Sequence, residues 1–392
     1  MPRLMFWARA VGVPACLGLC GYVIYVSRFA PHTIFFYLFL LFLLLVDIVS
    51  LVPERAREAF VVVGALVFGL CIIEGAAFAF DSDTPVSIKT KGVIVRNLVF
   101  GWGPGDPGVY HERLIYPYSG ATIYEVTYTF DDHRLRKTVP SDHGPTIAFF
   151  GDSFTLGVGV NDPDTMPQAF ADLTDHKIRV LNLGFWAYSP QQFLRAMETG
   201  VFDKIVGSDL RLFVFFTAPW QTDRVACKAD YVFGAPRYVL ENGNPIFAGV
   251  CFDHGRPKIE GLLSRVAIFR ALFKRYFRIG TRGDIQLYIA ETLKAAALTR
   301  ERYHVPTIVL FLSAGHDNLW MSGFTDQDIM NELRAGGLPV IDVSLGKHTW
   351  NNPKLSIPGD WHPTPFAHRA RAMLLKQFLV AHMPEILALP RQ

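Results

Sequence analysis

Charge is scarce in this chain, and the spacings that hold metals are missing from it. Only 19% of its 392 residues are Asp, Glu, Lys or Arg, and the formal net charge is +3. With no long basic run, no zinc-finger spacing and no aromatic ribonucleoprotein motif, nothing points to a nucleic-acid partner. HExxH and CxxC are absent too, and scattered pairs such as Asp132 with His133 or His316 with Asp317 give metal catalysis no support. Internal repeats and low-complexity tracts are likewise lacking. Cysteines number five, of which Cys16, Cys20 and Cys71 lie in apolar runs. Cys227 and Cys251 are left as the one pair in the polar part. In an oxidising compartment they can close a disulfide; otherwise they are two separate buried thiols.

Apolar residues are abundant at 51%, more than an ordinary soluble enzyme carries. The excess falls before residue 81, in runs at about 6–26, 33–52 and 59–80, each near the ~20 residues a helix needs to cross a hydrocarbon core. Three transmembrane helices are therefore expected, with short connectors making neighbours antiparallel. No small-x-small site follows the first run, which argues against a cleaved signal peptide. Arg3, Arg9, Arg55 and Arg57 against Arg28 place the N-terminus in the cytoplasm, although Lys89, Lys91 and Arg96 weigh the other way. Long domains translocate largely regardless of such charges, so the C-terminal domain is placed outside the cytoplasm. Asp47 and Glu74 fall inside spans, at roughly 9 and 24 Å from the cytoplasmic end at 1.5 Å per residue. They do not meet, and interface placement or capping of a neighbouring helix is expected rather than a proton relay.

Residues 81–144 read as a linker and a small β-rich preface, with "GWGPGDPGVY" (101–110) as loop and "ATIYEVTYTF" (121–130) as an alternating strand. From 145 to 392, short apolar runs alternate with helical patterns. Strands are expected at 146–151, 178–184, 210–217, 306–313 and 338–344. Continuous apolar strands separated by helices require a mostly parallel sheet covered on both faces, hence a three-layer α/β/α domain. Residues 261–278 are amphipathic at helical spacing. Such a helix packs on the sheet with a solvated basic back, the commoner outcome, or rests on anionic headgroups.

Chemistry concentrates at two stretches. In "FFGDSFTLGVGV" (149–160) an apolar strand runs straight into Gly-Asp-Ser, which sets Ser153 at the carboxyl rim of the sheet, where ligands of parallel sheets gather. In "PGDWHPTPFAHRARAMLLKQFL" (358–379), Asp360 and His362 come just before a helix opening near Thr364 or Pro365. A carboxylate can hold one ring nitrogen's proton while the other nitrogen takes the proton of a serine, itself a poor nucleophile. His368, on that helix, is read as a polar helix residue.

"FFGDSFTLGVGVNDPDTMPQAF", "VLNLGFWAYSPQQ" and "GDWHPTPFAH", in this order and spacing, resemble the blocks of the SGNH (GDSL-type) hydrolase family over residues 145–385. The resemblance implies a flavodoxin-like α/β/α fold and ester chemistry through a serine acyl intermediate, without a cofactor. Ser153 would be the nucleophile, His362 the general base and Asp360 its orienting partner. Membrane-anchored bacterial members with a preface domain are linked to acyl groups on cell-envelope glycans. That implies a multi-pass inner-membrane protein acting on an ester-bearing glycan or lipid, with a membrane partner supplying acyl groups if it is a transferase.

Two departures bear on the oxyanion hole. Ala187 stands where the second block has glycine, and Pro219 where the third has asparagine, so that Trp220 or Gln221 would have to supply the donor. Two functions follow: a serine esterase or O-acyltransferase, or a catalytically impaired envelope-assembly or glycan-binding protein on the same fold.

Overall fold

A computed structural model of the chain describes residues 34–49, 52–81, 84–117, 119–139, 144–313, 319–346 and 351–389, with isolated positions before residue 23. The chain divides into two compact units, residues 1–84 with 259–277, and residues 85–258 with 278–392.

In the smaller unit, the helices Ile34–Val49 and Glu54–Asp81 form an antiparallel hairpin. The Phe42 and Phe68 rings pack at a tilt with centroids 4.7 Å apart, and the Cys71 thiol faces the Phe35 carbonyl. Among the described residues only Glu54–Ala79 is long and apolar enough to cross a membrane. Of the three expected spans, one is found among the described residues. Of the second run, the described residues 34–49 are helical throughout. Apart from isolated positions, the first run lies outside the described residues.

The larger unit opens with five strands: β1 (Val86–Lys89), β2 (Ile94–Asn97), β3 (Gly101–Pro104), β4 (Gly108–Ile115) and β5 (Thr122–Phe130). β1, β4 and β5 make an antiparallel sheet, and β2 pairs with β3. The stretch 101–110, read as loop from its Gly and Pro content, thus supplies β3 and the start of β4. Gly101 has φ +91°, and a Cβ there would lie 2.3 Å from the Gly234 carbonyl carbon. The glycine marks a close backbone approach within a strand rather than a turn.

Five further strands build the main sheet: β6 (Thr146–Phe150), β7 (Arg179–Asn182), β8 (Leu210–Thr217), β11 (Thr307–Phe311) and β12 (Val340–Asp342). β9 (Pro236–Glu241) and β10 (Asn244–Val250) form a separate hairpin. The sheet is parallel throughout, in the order β12-β11-β8-β6-β7. Numbered within the sheet this is 2-1-3-4-5, the flavodoxin-like order, whose switch point lies between β6 and β8.

Side chains alternate across it, as the two-residue strand period demands. Phe149, Val214, Phe216 and Leu310 pack with the helix Pro365–His382 on one face. On the other, Phe150, Phe213 and Phe215 pack with the helices Pro190–Thr199 and Arg282–Tyr303. The result is a three-layer α/β/α fold.

Strands β1 to β5 belong to the same compact unit as this sheet. Arg136, 1% exposed, ties the two together. Its backbone bridges Phe130 on one side and Asn182 on the other. Its guanidinium donates to Asp162 at 2.6 Å and to the Val160 carbonyl at 3.0 Å, and lies 4.3 Å over the Tyr128 ring. Residues 259–277, which hold most of the amphipathic stretch, belong to the smaller unit, and amphipathicity alone does not say which apolar surface a helix will seek.

Candidate active site

β6 ends at Phe150, and the chain turns within three residues into the short helix Ser153–Leu156. Gly151 makes that turn possible, because a Cβ there would lie 2.3 Å from Thr155 Oγ1 and 3.0 Å from Phe216 Cβ. Asp152 caps the helix, accepting from the N–H of Phe154 at 3.0 Å. Ser153 is thereby presented at the switch point of the sheet.

His362 and Asp360 come to the same rim from the other end of the chain. His362 Nε2 lies 2.9 Å from Ser153 Oγ, and His362 Nδ1 lies 2.6 Å from Asp360 Oδ2. A tight turn makes the second contact possible for residues only two apart. The N–H of Ile357 donates to the His362 carbonyl at 2.8 Å, and Trp361 takes φ +72°, which folds the Asp360 carboxylate back onto the imidazole. A left-handed tryptophan is a strained conformation of the kind found at functional sites. Behind this turn Thr364 caps the helix Pro365–His382, fixing the loop to a rigid element. The Phe154 ring lies 5.4 Å from the imidazole, centroid to centroid.

The N–H groups of Ser153 and Ala187 donate to no group among the described residues. Ala187 follows Trp186 in the loop after β7 and has φ +59°. An L-residue there costs about 1–2 kcal/mol, part of which glycine would return as unfolded-chain entropy. Ala187→Gly is therefore expected to stabilise the chain by about 0.5–1 kcal/mol, raising the thermal midpoint by roughly 2 °C with turnover retained. A calorimetric scan beside an ester assay checks both.

The proposed stand-in at Gln221 is corrected. Its amide donates to Asp152 Oδ2 at 3.0 Å and its carbonyl accepts from Thr217 at 2.8 Å, with no exposed surface left to meet a substrate. Pro219 begins a short 3-10 turn and offers no N–H. Trp220 packs its ring on Phe154, centroids 5.4 Å apart. Cys227 and Cys251 are joined as a disulfide, Cα to Cα 5.2 Å.

Sequence reasoning passed over Asp152 and Arg224. Asp152 is fully buried, and Arg224, 8% exposed, donates to it at 3.1 Å and to the Tyr188 carbonyl at 2.9 Å. This clamp joins the serine turn to the segment after β8 across 72 residues. For Asp152 the local signal was a charge among apolar residues; Arg224, beside Gln221, Thr222 and Asp223, carried no such signal.

His368 departs from its reading as a polar helix residue. It is 1% exposed, and neither ring nitrogen has a hydrogen-bond partner among the described residues. Burial, reinforced by the charges of Arg371, His362 and Arg136, holds its pKa well below 6.5. The folded state keeps this ring neutral while the unfolded chain protonates it. Its contribution to stability is thus complete above about pH 6.5 and is lost as pH falls from there toward the depressed folded value. The slope is up to about 1.4 kcal/mol per pH unit, and His368→Leu is expected to remove it from urea titrations run at stepped pH.

No family model and no curated protein matches the chain. Solved structures do. A putative lipolytic protein of the G-D-S-L family from Desulfitobacterium hafniense DCB-2 is 12% identical, over 60% of this chain and 99% of that one, with a TM-score of 0.36. The lipase/acylhydrolase from Enterococcus faecalis is 12% identical over 63% and 99%, TM-score 0.37. A carbohydrate acetylesterase family member from Sinorhizobium meliloti is 12% identical over 62% and 99%, TM-score 0.31. Likenesses this distant leave the chemistry to the geometry of the site.

Proposed function

We propose that the chain is a membrane-anchored serine ester hydrolase or O-acyltransferase that works through an acyl group on Ser153. The observation carrying this reading is the unbroken relay Ser153–His362–Asp360, at 2.9 and 2.6 Å. His362 Nε2 takes the proton of Ser153 as Oγ attacks an ester carbonyl, and Asp360 steadies the imidazolium. The N–H groups of Ser153 and Ala187 stabilise the oxyanion. Collapse breaks the C–O bond, and His362 returns the proton to the departing alcohol. Water or a second hydroxyl, deprotonated by the same ring, then attacks the acyl-serine, forming acid or new ester and freeing Ser153.

The helix Glu54–Ala79 supports anchoring, and the Cys227–Cys251 disulfide supports a site outside the cytoplasm. A domain held there meets glycan and lipid esters of the envelope first, and these are the proposed substrates. Pro219 lacks an N–H and Gln221 is committed to Asp152, so this reading rests the oxyanion on the two backbone donors. One missing donor typically lowers turnover about 100 to 1,000-fold, which makes a slow enzyme and leaves the glycan-binding reading as the second outcome. Incubating the full chain with short acyl esters and with a fluorophosphonate decides between them. A mass gain on Ser153 from both reagents is expected, and no gain from either would leave only the binding reading.

A further inference from the structure

Residues 259–277 leave the larger unit after Lys258 and return to it at Arg278, spending the interval in the smaller unit with the two apolar helices. There the carboxylate of Glu74 accepts from the N–H groups of Ala267 at 2.5 Å and Ile268 at 3.1 Å. Glu74 is 3% exposed, on the helix Glu54–Asp81. A carboxylate in an apolar helix is costly unless its charge is hydrogen-bonded, and amides at the start of a helix need an acceptor. Each group answers the need of the other.

We infer that residues 259–277 form a wedge that enters the headgroup region of an anionic bilayer, clamped at its depth by Glu74; this rests on the membrane-anchored reading above. The depth follows from position. Glu74 lies five residues before Ala79, where the apolar stretch ends, which is about 8 Å inside it at 1.5 Å per residue. Interfacial helices bury their apolar faces to roughly 5–10 Å.

The composition of the segment fits the same partner. Ile259, Leu262, Leu272, Phe273 and Tyr276 are all exposed, a set that water does not favour on one short segment. Arg265, Arg270, Lys274 and Arg275 carry positive charge against one acidic residue, Glu260, which is fully buried. Arg265 and Arg275 are exposed. Apolar side chains interleaved with cations match an anionic lipid surface, with stems in the acyl boundary and charges among the headgroups.

The test uses the full chain with Cys16, Cys20 and Cys71 replaced by serine, the disulfide kept, and an environment-sensitive fluorophore on Phe273→Cys. It is reconstituted in phosphatidylcholine vesicles with and without phosphatidylglycerol, and insertion is verified by resistance to alkaline carbonate. Expected are blue-shifted emission, quenching by shallow spin-labelled lipid and loss of quenching by aqueous iodide. A control label on Glu332→Cys, exposed on the helix Asp326–Ala335, should behave oppositely. Protection at 273 should strengthen with phosphatidylglycerol and weaken in Arg265→Glu with Arg275→Glu. Glu74→Leu should release the wedge to iodide, and Glu74→Gln should release it less. In carbonate-resistant protein, iodide quenching at 273 equal to that at 332 would overturn the wedge while leaving the anchor standing. Carbonate extraction of the chain would overturn the anchor, and the wedge with it.

Discussion

Ser153→Ala is expected to abolish ester turnover, with a loss on the order of 10³-fold or more in kcat, while the fold and the thermal midpoint stay essentially unchanged. The reasoning is local. Ser153 contributes a hydroxyl whose hydrogen-bond partner is His362 Nε2, and alanine removes that atom without disturbing the capping of the turn by Asp152. What survives is the oxyanion hole and the binding of substrate, which sustain only residual catalysis. Labelling by a fluorophosphonate measures the same event independently. Labelling of the alanine variant at the wild-type rate would exclude Ser153 as nucleophile, whatever its geometry. His362→Ala should match this loss in kcat, because the two residues act as a unit and their effects do not add.

The second large effect concerns stability. Arg224→Leu should destabilise the chain by about 3–5 kcal/mol, the usual cost of leaving one member of a buried ion pair without its partner. Asp152 is fully buried and has three side-chain or backbone donors: Gln221, Arg224 and the Phe154 N–H. Removing the one charged donor it has among the described residues strands a carboxylate beneath Ser153. A fall in thermal midpoint on the order of 10 °C is expected, together with loss of turnover, since the carboxylate also fixes the start of the Ser153 helix. Pairing the change with Asp152→Asn should recover much of the stability and little of the activity. A double variant no more stable than Arg224→Leu alone would show that the arginine acts through packing. Urea unfolding of the four proteins supplies the comparison.

The main sheet was legible in the sequence because its strands are buried on both faces. All five expected segments contain strands of that sheet, each trimmed by no more than a few residues at its ends. The triad was legible because its parts sit in short stretches with their own local grammar: a serine after an apolar strand, and an aspartate and histidine before a capped helix. What escaped was long-range. Gln221 carries a donor, and only the fold reveals that this donor is spent on Asp152. β3 was hidden because glycine and proline signal turns by their backbone freedom, whereas here Gly101 serves a close approach to Gly234. The stretch 261–278 announced an apolar side without naming its partner. Glu74 was read as sitting at an interface or capping a neighbouring helix, and the amides it holds belong to residues 193 and 194 positions further along the chain. No spacing rule reaches that far.

Arg136 has an implication for how such a chain can be rearranged. Its guanidinium closes contacts to Asp162 and to the Val160 carbonyl, and it comes from the segment ahead of β6. A gene fragment opening at residue 145 would therefore encode the α/β/α body with Asp162 and the Val160 carbonyl stripped of their cation. The front segment is not a detachable module. Exchange between relatives, whether by recombination or by an engineer, must carry both pieces across together or rebuild the place of Arg136 with apolar residues.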